Sequence, residues 1–168
     1  MPIEVVVGDI TRIPIDAIVN AANERLRGGG GVDGAIHRVA GPELLEACRS
    51  FGNCPTGEVR VTPAFQLPAR HVIHAVGPIW SGGAHDEDRL LASAYRNALE
   101  AARELGAISI AFPAISTGVY GFPRDRAARI AIAQMRRWLA EGSQPLRIVL
   151  VSFDDAGAQI YRTVLEEL

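Results

Sequence analysis

Gly28-Gly29-Gly30-Gly31-Val32-Asp33-Gly34-Ala35-Ile36-His37 is the densest glycine cluster of the chain, and it runs directly into the start of a helix. Glycine takes positive φ without steric penalty and lets a ligand approach the bare backbone. Four in succession carry a large entropic cost on ordering, more than a plain connector requires. Placed before a helix, their N–H groups would make an anion site that needs no cation. A simple turn between two elements is the plainer reading of the same residues. A dinucleotide fingerprint does not fit, because Gly-x-Gly-x-x-Gly should open from the first strand. The first apolar run ends instead at Gly8-Asp9-Ile10-Thr11.

Outward from this cluster, strand-like runs alternate with helical stripes. Upstream, Ile3 to Val7 is a β-branched run and Ala17 to Val19 a second short apolar run. Downstream, Val59 to Ala64 alternates apolar with polar residues, and His71 to Val76, Ile108 to Phe112 and Arg147 to Phe153 complete six strand candidates. Asp33 to Val39 and Pro42 to Ser50 read as helices parted by the Gly41-Pro42 break. Asp86 to Leu105 sets Leu90, Leu91, Ala94, Leu99, Ala102 and Leu105 on an approximately helical stripe, with Gly106 as its stop. Pro123 opens a helix to about Glu141, and Asp154 caps a last one carrying Ile160, Tyr161, Val164 and Leu165. This alternation predicts an α/β sandwich, with a mostly parallel central sheet and helices on both faces. No repeat, low-complexity tract or linker divides residues 1–168, so one domain is expected.

The 168 residues suffice for a proper core, and 48% apolar with 21% charged content is ordinary for a globular chain. A formal charge of -2 provides no general attraction to nucleic acid or anionic membrane. No apolar run approaches the roughly 20 residues of a bilayer span. Met1-Pro2-Ile3-Glu4 lacks the start of a signal peptide, and a cytoplasmic protein is expected. Cys48 and Cys54 are too few for a disulfide scaffold and fit free thiols in a reducing compartment. All 17 Lys+Arg residues are arginine. That excludes a Schiff-base lysine and the lysine of a P-loop. A phosphate site must therefore use backbone amides or arginine.

A second loop, Ile115-Ser116-Thr117-Gly118-Val119-Tyr120-Gly121-Phe122-Pro123, lies between a strand and a helix of the same kind. In an open α/β sheet both loops would sit at the carboxyl ends of strands, where ligands bind, and together they could clamp a diphosphate. Gly118 and Gly121 are equally readable as ordinary turn residues. Asn20 and Asn23 are read at the end of the second strand, where amides that both donate and accept suit ribose hydroxyls. Closing a turn is their alternative. Asp33 could simply cap a helix beginning at Gly34, and Asp9 could be a turn residue. His71 and His74 are three apart on a strand, point to opposite faces, and cannot share a metal without a bulge. No metal is expected. Ser116 lacks a Gly-x-Ser-x-Gly elbow, which counts against a serine hydrolase.

Five stretches, taken in order, resemble the macrodomain family and specifically its MacroD-type branch. They are Gly8 to Thr11, Val19 to Asn23 (Val-Asn-Ala-Ala-Asn), Gly28 to Arg38, His74 to Trp80 (His-Ala-Val-Gly-Pro-Ile-Trp) and Phe112 to Pro123. The resemblance implies a three-layer α/β/α macrodomain sandwich with a mixed, mostly parallel six-stranded sheet and a cleft for ADP-ribose. It implies that Asp9 accepts from the adenine amino group with the Ile10 backbone beside it, and that Phe153 stacks on the adenine. Gly30, Gly31 and Val32 would form the first phosphate loop, and Ser116, Thr117, Gly118, Val119 and Tyr120 the second. Asn23 and Asp33 would be the catalytic pair at the distal ribose, with Phe122 flanking it and Asn20 among the ligand contacts. The chain departs from the family at Arg27, where members often carry Leu. Residues 50–57 are variable, so Cys54 gains no role from the match.

The implied activity is hydrolysis that removes mono-ADP-ribose from Asp- or Glu-linked modified proteins and deacetylates O-acetyl-ADP-ribose. Ester hydrolysis needs a positioned water and stabilisation of developing negative charge. Asp33 could be the general base, or could orient a water that the substrate's own phosphate helps to activate. Asn23 would orient the ribose or the water. The alternative is a non-catalytic ADP-ribose reader, a role whose members commonly lack the Asn and Asp pair present here. The expected partners are ADP-ribose and ADP-ribosylated proteins or O-acetyl-ADP-ribose, with no cofactor and no membrane. Nucleic-acid binding is a weaker reading, since aromatic content is 6% and stacking platforms are scarce.

Overall fold

The computed structural model describes residues 2–168. Among them, six strands form one sheet: β1 (Ile3–Val7), β2 (Ala17–Ala22), β3 (Val59–Pro63), β4 (His71–Val76), β5 (Ser109–Phe112) and β6 (Arg147–Ser152). Their order across the sheet is β1-β6-β5-β2-β4-β3. Every neighbouring pair is parallel except β3 with β4, so the sheet is mixed and mostly parallel. The helices are α1 (Gly31–Ala40), α2 (Pro42–Arg49), α3 (Glu87–Glu104), α4 (Arg124–Glu141) and α5 (Asp155–Glu167), and a 3₁₀ turn (Ile10–Arg12) follows β1.

The central strands are apolar on both faces because helices cover both. The two-residue period of a strand divides β2 between two cores. Ala17 and Val19 join Leu91 and Leu99 of α3, Ile132 and Trp138 of α4 and Tyr161 of α5 on one face. Ile18 joins Val72, Ala111, Ile36 of α1 and Leu44 of α2 on the other. Trp138 is fully enclosed, and its indole N–H donates to the Pro145 carbonyl at 3.0 Å. The layers are thus α1 and α2, the sheet, then α3, α4 and α5.

Several boundaries differ from the sequence expectation. β2 continues past its apolar run to Ala22, because Asn20, Ala21 and Ala22 stay in register with His74, Ala75 and Val76 of β4. α1 begins at Gly31, two residues earlier than Asp33, with Gly30 as its N-cap. Asp33 therefore lies inside the first turn and does not cap it. Asp154 caps α5 as expected, accepting from the Gly157 amide at 2.7 Å.

All five mutually parallel strands end on the same edge of the sheet. At the middle of that edge, β2 feeds α1 on one face, while its neighbour β5 feeds α4 on the opposite face. The chain diverges there and leaves a crevice, the place where open α/β sheets bind ligands.

Candidate ligand-binding and active site

Two loops wall this crevice. The first leaves β2 and reaches α1 through Gly28 (φ 81°) and Gly31 (φ 57°), both in the left-handed region that favours glycine. Asn23 pins it from within, its Nδ2 donating to the Gly28 carbonyl at 3.0 Å. The second loop leaves β5. Ser116 adopts φ 67° there, and the Phe122 amide closes back on the Ser116 carbonyl at 2.9 Å. Gly77, just beyond β4, lets this loop seat closely, because a Cβ there would overlap Ser116 Oγ and Ile115. The Trp80 amide donates to the Tyr120 carbonyl at 2.8 Å and ties the loop to the segment after β4. Among the described residues, the amides of Gly28 through Asp33 and of Ser116 through Tyr120 meet no protein acceptor. The α1 amides in this set are the unpaired donors that any helix N-terminus presents. Two loops with free N–H groups thus lie at the same end of the sheet, with no lysine in the chain.

Asn23 and Asp33 converge beside the first loop. A Cβ on Gly29 would lie 3.4 Å from Asp33 Oδ2 and 3.7 Å from Asn23 Nδ2, so both groups border the same small space. Asp33 is 6% exposed, and its Oδ1 accepts from Asn20 Nδ2 at 2.8 Å. His37, one turn later on α1, places Nε2 3.4 Å from the same oxygen. Asn23 Oδ1 is buried and has no partner within the described residues. Tyr120 brings its phenol from the second loop, and its pKa is raised by burial and by the charges of Glu24 and Asp33.

At the far end of the edge, Asp9 follows β1 and Phe153 follows β6, whose last residues pair in register as Val7 with Ser152. Asp9 Oδ1 accepts from the Thr11 hydroxyl and amide at 2.6 and 2.9 Å, which holds its carboxyl below the usual aspartate range. Phe153 is 85% exposed, its ring free to stack. From β1 to β2 is three strand spacings, about 14 Å at the usual interval. The edge therefore presents an aromatic ring with a carboxylate, then free amides, then a second carboxylate with an amide. That sequence of groups suits an elongated ligand with a heterocycle at one end and anionic charge in the middle.

The structure sets Asp9, Phe153, the two loops, Asn23 and Asp33 along the same edge of the sheet, and it buries two residues expected at the ligand. Asn20 makes its side-chain contacts within the fold. It lies inside β2 and is wholly enclosed, because strand pairing carries on through it and turns its side chain toward Asp33. Phe122 belongs to the core. It is 1% exposed, with its ring tilted against Trp80 at 4.8 Å and the Arg126 guanidinium 5.1 Å from the Trp80 ring. Ile10 is buried, so only its backbone is available, and Val119 is fully exposed. His37 and His74 were missed as neighbours of Asp33. The four-residue spacing from Asp33 to His37 on a helix is the signal that finds the first. No group of three or more His, Cys, Asp or Glu able to hold a metal occurs among the described residues.

A macro domain family model matches residues 19–131 of the chain. The O-acetyl-ADP-ribose deacetylase of Escherichia fergusonii is 54% identical over 169 residues, spanning 98% of this chain and 96% of that protein. A macro domain-containing protein of Methanosarcina mazei is 52% identical over 161 residues, spanning 96% and 86%. The Oceanobacillus iheyensis macrodomain with ADP matches at TM-score 0.92 and 48% identity, covering 98% of this chain and 90% of that one. The Trypanosoma brucei macrodomain in complex with ADP-ribose matches at TM-score 0.92 and 44% identity, covering 97% and 68%. The chain belongs to the macro domain family and shares its fold.

Proposed function

We propose that the chain binds ADP-ribose and hydrolyses esters at its distal ribose. Its substrates in this reading are O-acetyl-ADP-ribose and proteins carrying mono-ADP-ribose on Asp or Glu. The observation that carries it is the pair of loops with free amides, Gly28 to Asp33 and Ser116 to Tyr120, at one end of the sheet between an aromatic end and a carboxylate end. A diphosphate seated on backbone N–H groups requires no cation, only dipoles aimed at it. Adenine then lies toward Phe153 and Asp9, and the distal ribose reaches Asn23 and Asp33. The identity to the Escherichia fergusonii protein and the likeness to macrodomains with ADP and with ADP-ribose support ADP-ribose as the ligand and deacetylation as the reaction.

At the ribose, Asn23 gives one Nδ2 hydrogen to the Gly28 carbonyl, and its unpartnered Oδ1 is the atom that accepts from a sugar hydroxyl. Asp33 has spent Oδ1 on Asn20, so Oδ2 is the oxygen that orients the attacking water and receives its proton. The first-loop amides and the α1 N-terminus lie where negative charge develops. A cytoplasmic setting belongs to this reading, supported by the two free cysteines.

Incubation with O-acetyl-ADP-ribose and with a peptide mono-ADP-ribosylated on glutamate should release ADP-ribose from both. Asp33→Ala should lower kcat by on the order of 100-fold or more, the scale of a lost general base, while calorimetric binding of ADP-ribose persists. Binding without product from either substrate would make the chain a reader, and absence of binding would remove the assignment altogether.

A further inference from the structure

Behind Asp33 lies a chain of buried polar contacts that the proposed reaction does not touch. Asn20 Nδ2 stands 2.8 Å from Asp33 Oδ1 and 3.1 Å from His74 Nδ1. On the far side of the imidazole, His74 Nε2 lies 3.0 Å from Thr62 Oγ1 and 3.6 Å from Cys48 Sγ. Asn20, Thr62, His74 and Cys48 are each no more than 2% exposed. They come from β2, β3, β4 and α2, so four separate elements enclose one hydrogen-bond path.

The directions along this path follow from one charge. An ionised carboxylate only accepts, so the Asn20 atom facing Asp33 must be its NH₂. The second hydrogen of that NH₂ points at His74 Nδ1, which must therefore present a lone pair. A neutral imidazole with Nδ1 bare carries its proton on Nε2, where it donates to Thr62 Oγ1. Asn20 Oδ1 is left buried without a partner, a costly arrangement. It persists because turning the amide over would set oxygen against the carboxylate and N–H₂ away from the imidazole lone pair. The surroundings favour the neutral ring: burial first, then the nearby His37, lower the His74 pKa to about 4, against the opposing pull of Asp33. Among the described residues, the titratable groups that face this ring are Asp33 and His37 on α1 and Cys48 on α2.

We propose that His74 is a positioning residue, which as its Nε2–H tautomer locks the Asn20 amide and so holds Asp33 with Oδ2 turned toward the Gly29 and Asn23 side. The proposal rests on the reading of Asp33 as the group that directs water. Gly29 offers Asp33 Oδ2 no side chain to pack against, so the carboxylate is oriented from its Oδ1 side, by Asn20 at 2.8 Å and by His37 at 3.4 Å. A displacement on the scale of 1 Å at the reacting centre can cost about 100-fold in rate.

The test has one arm that needs no turnover. Imidazole ¹⁵N shifts of the unaltered protein between pH 6 and 8 should show His74 neutral with the proton on Nε2, and in Asp33→Ala the Nδ1–H form should grow in. A Nδ1–H ring or an imidazolium in the parent overturns the proposal, whether or not the protein proves to be a hydrolase. In the second arm, His74→Phe keeps ring volume but has no acceptor, and His74→Asn returns one near the Nδ1 position. His74→Phe should lose about tenfold or more in kcat on O-acetyl-ADP-ribose, with KM and the calorimetric Kd for ADP-ribose within about twofold of the parent, and His74→Asn should recover several-fold. Full kcat in His74→Phe, equal losses of kcat and binding, or no recovery in His74→Asn would each overturn it. If His74→Phe does not fold, Thr62→Val frees the tautomer from the other side and should lower kcat by a few-fold without changing Kd. An unchanged kcat in Thr62→Val would then overturn it.

Discussion

Phe153 stands one residue beyond β6 with most of its surface in solvent, an expensive place for a phenyl group. Stacking of a base on an aromatic ring is worth about 1–3 kcal/mol. Phe153→Ala should therefore weaken ADP-ribose about tenfold by calorimetry, since about 1.4 kcal/mol is a factor of ten. Thermal stability should barely move, because the exposed ring contributes little packing. An unchanged Kd would displace adenine from the β1–β6 end. At this scale the sequence was most legible where residue type and chemistry coincide, as in Asn23, Asp33 and the glycines. It was least legible where direction matters. Asn20 reads as a ligand contact from its type, yet strand pairing through Ala22 turns it inward. Phe122 reads as a wall of the ribose site, yet its ring completes the core against Trp80.

Among the elements, Gly82 to His85, just ahead of α3, reads from composition as a plain surface loop. In the fold one carboxylate organises it. Glu87, the first residue of α3, is 1% exposed and accepts from the amides of Ser81, Gly83 and His85 at 2.8, 2.9 and 2.6 Å. Burial acts to raise its pKa, but those amides outweigh it and hold it at about 2, against an ordinary 4.5. A carboxyl depressed in the fold contributes stability that is present above the unfolded pKa and lost as pH falls through the folded one. Glu87→Gln should accordingly lower Tm at neutral pH. The gap to the parent should narrow from about pH 4.5 and close near pH 2, where the parent's carboxyl is itself protonated. A gap that stays constant across that range would mean the amides bind either form equally. The loop was invisible to residue patterns because its partners are main-chain amides, which every residue type carries.

Across the whole molecule, alternation of apolar runs and helical stripes was enough to specify a mostly parallel sheet with both faces covered. The β1-β6-β5-β2-β4-β3 order has no comparable signal, since it is fixed by which helices pack on which face. That order sets Asp9, Phe153, Ser116 and Asp33, remote in sequence, along one edge of the sheet. It also separates the only two tryptophans. Trp138 is sealed among the helices of one face, whereas Trp80 leans on Phe122 and hydrogen-bonds the loop that carries Tyr120. The protein thus contains two optical probes that answer different questions. ADP-ribose should change the emission of Trp80, and denaturant should red-shift that of Trp138. Trp80→Phe should leave a protein whose fluorescence ignores ligand yet still follows unfolding. Ligand-dependent emission surviving in that variant would place the responsive indole in the core, and the motion of the site with it.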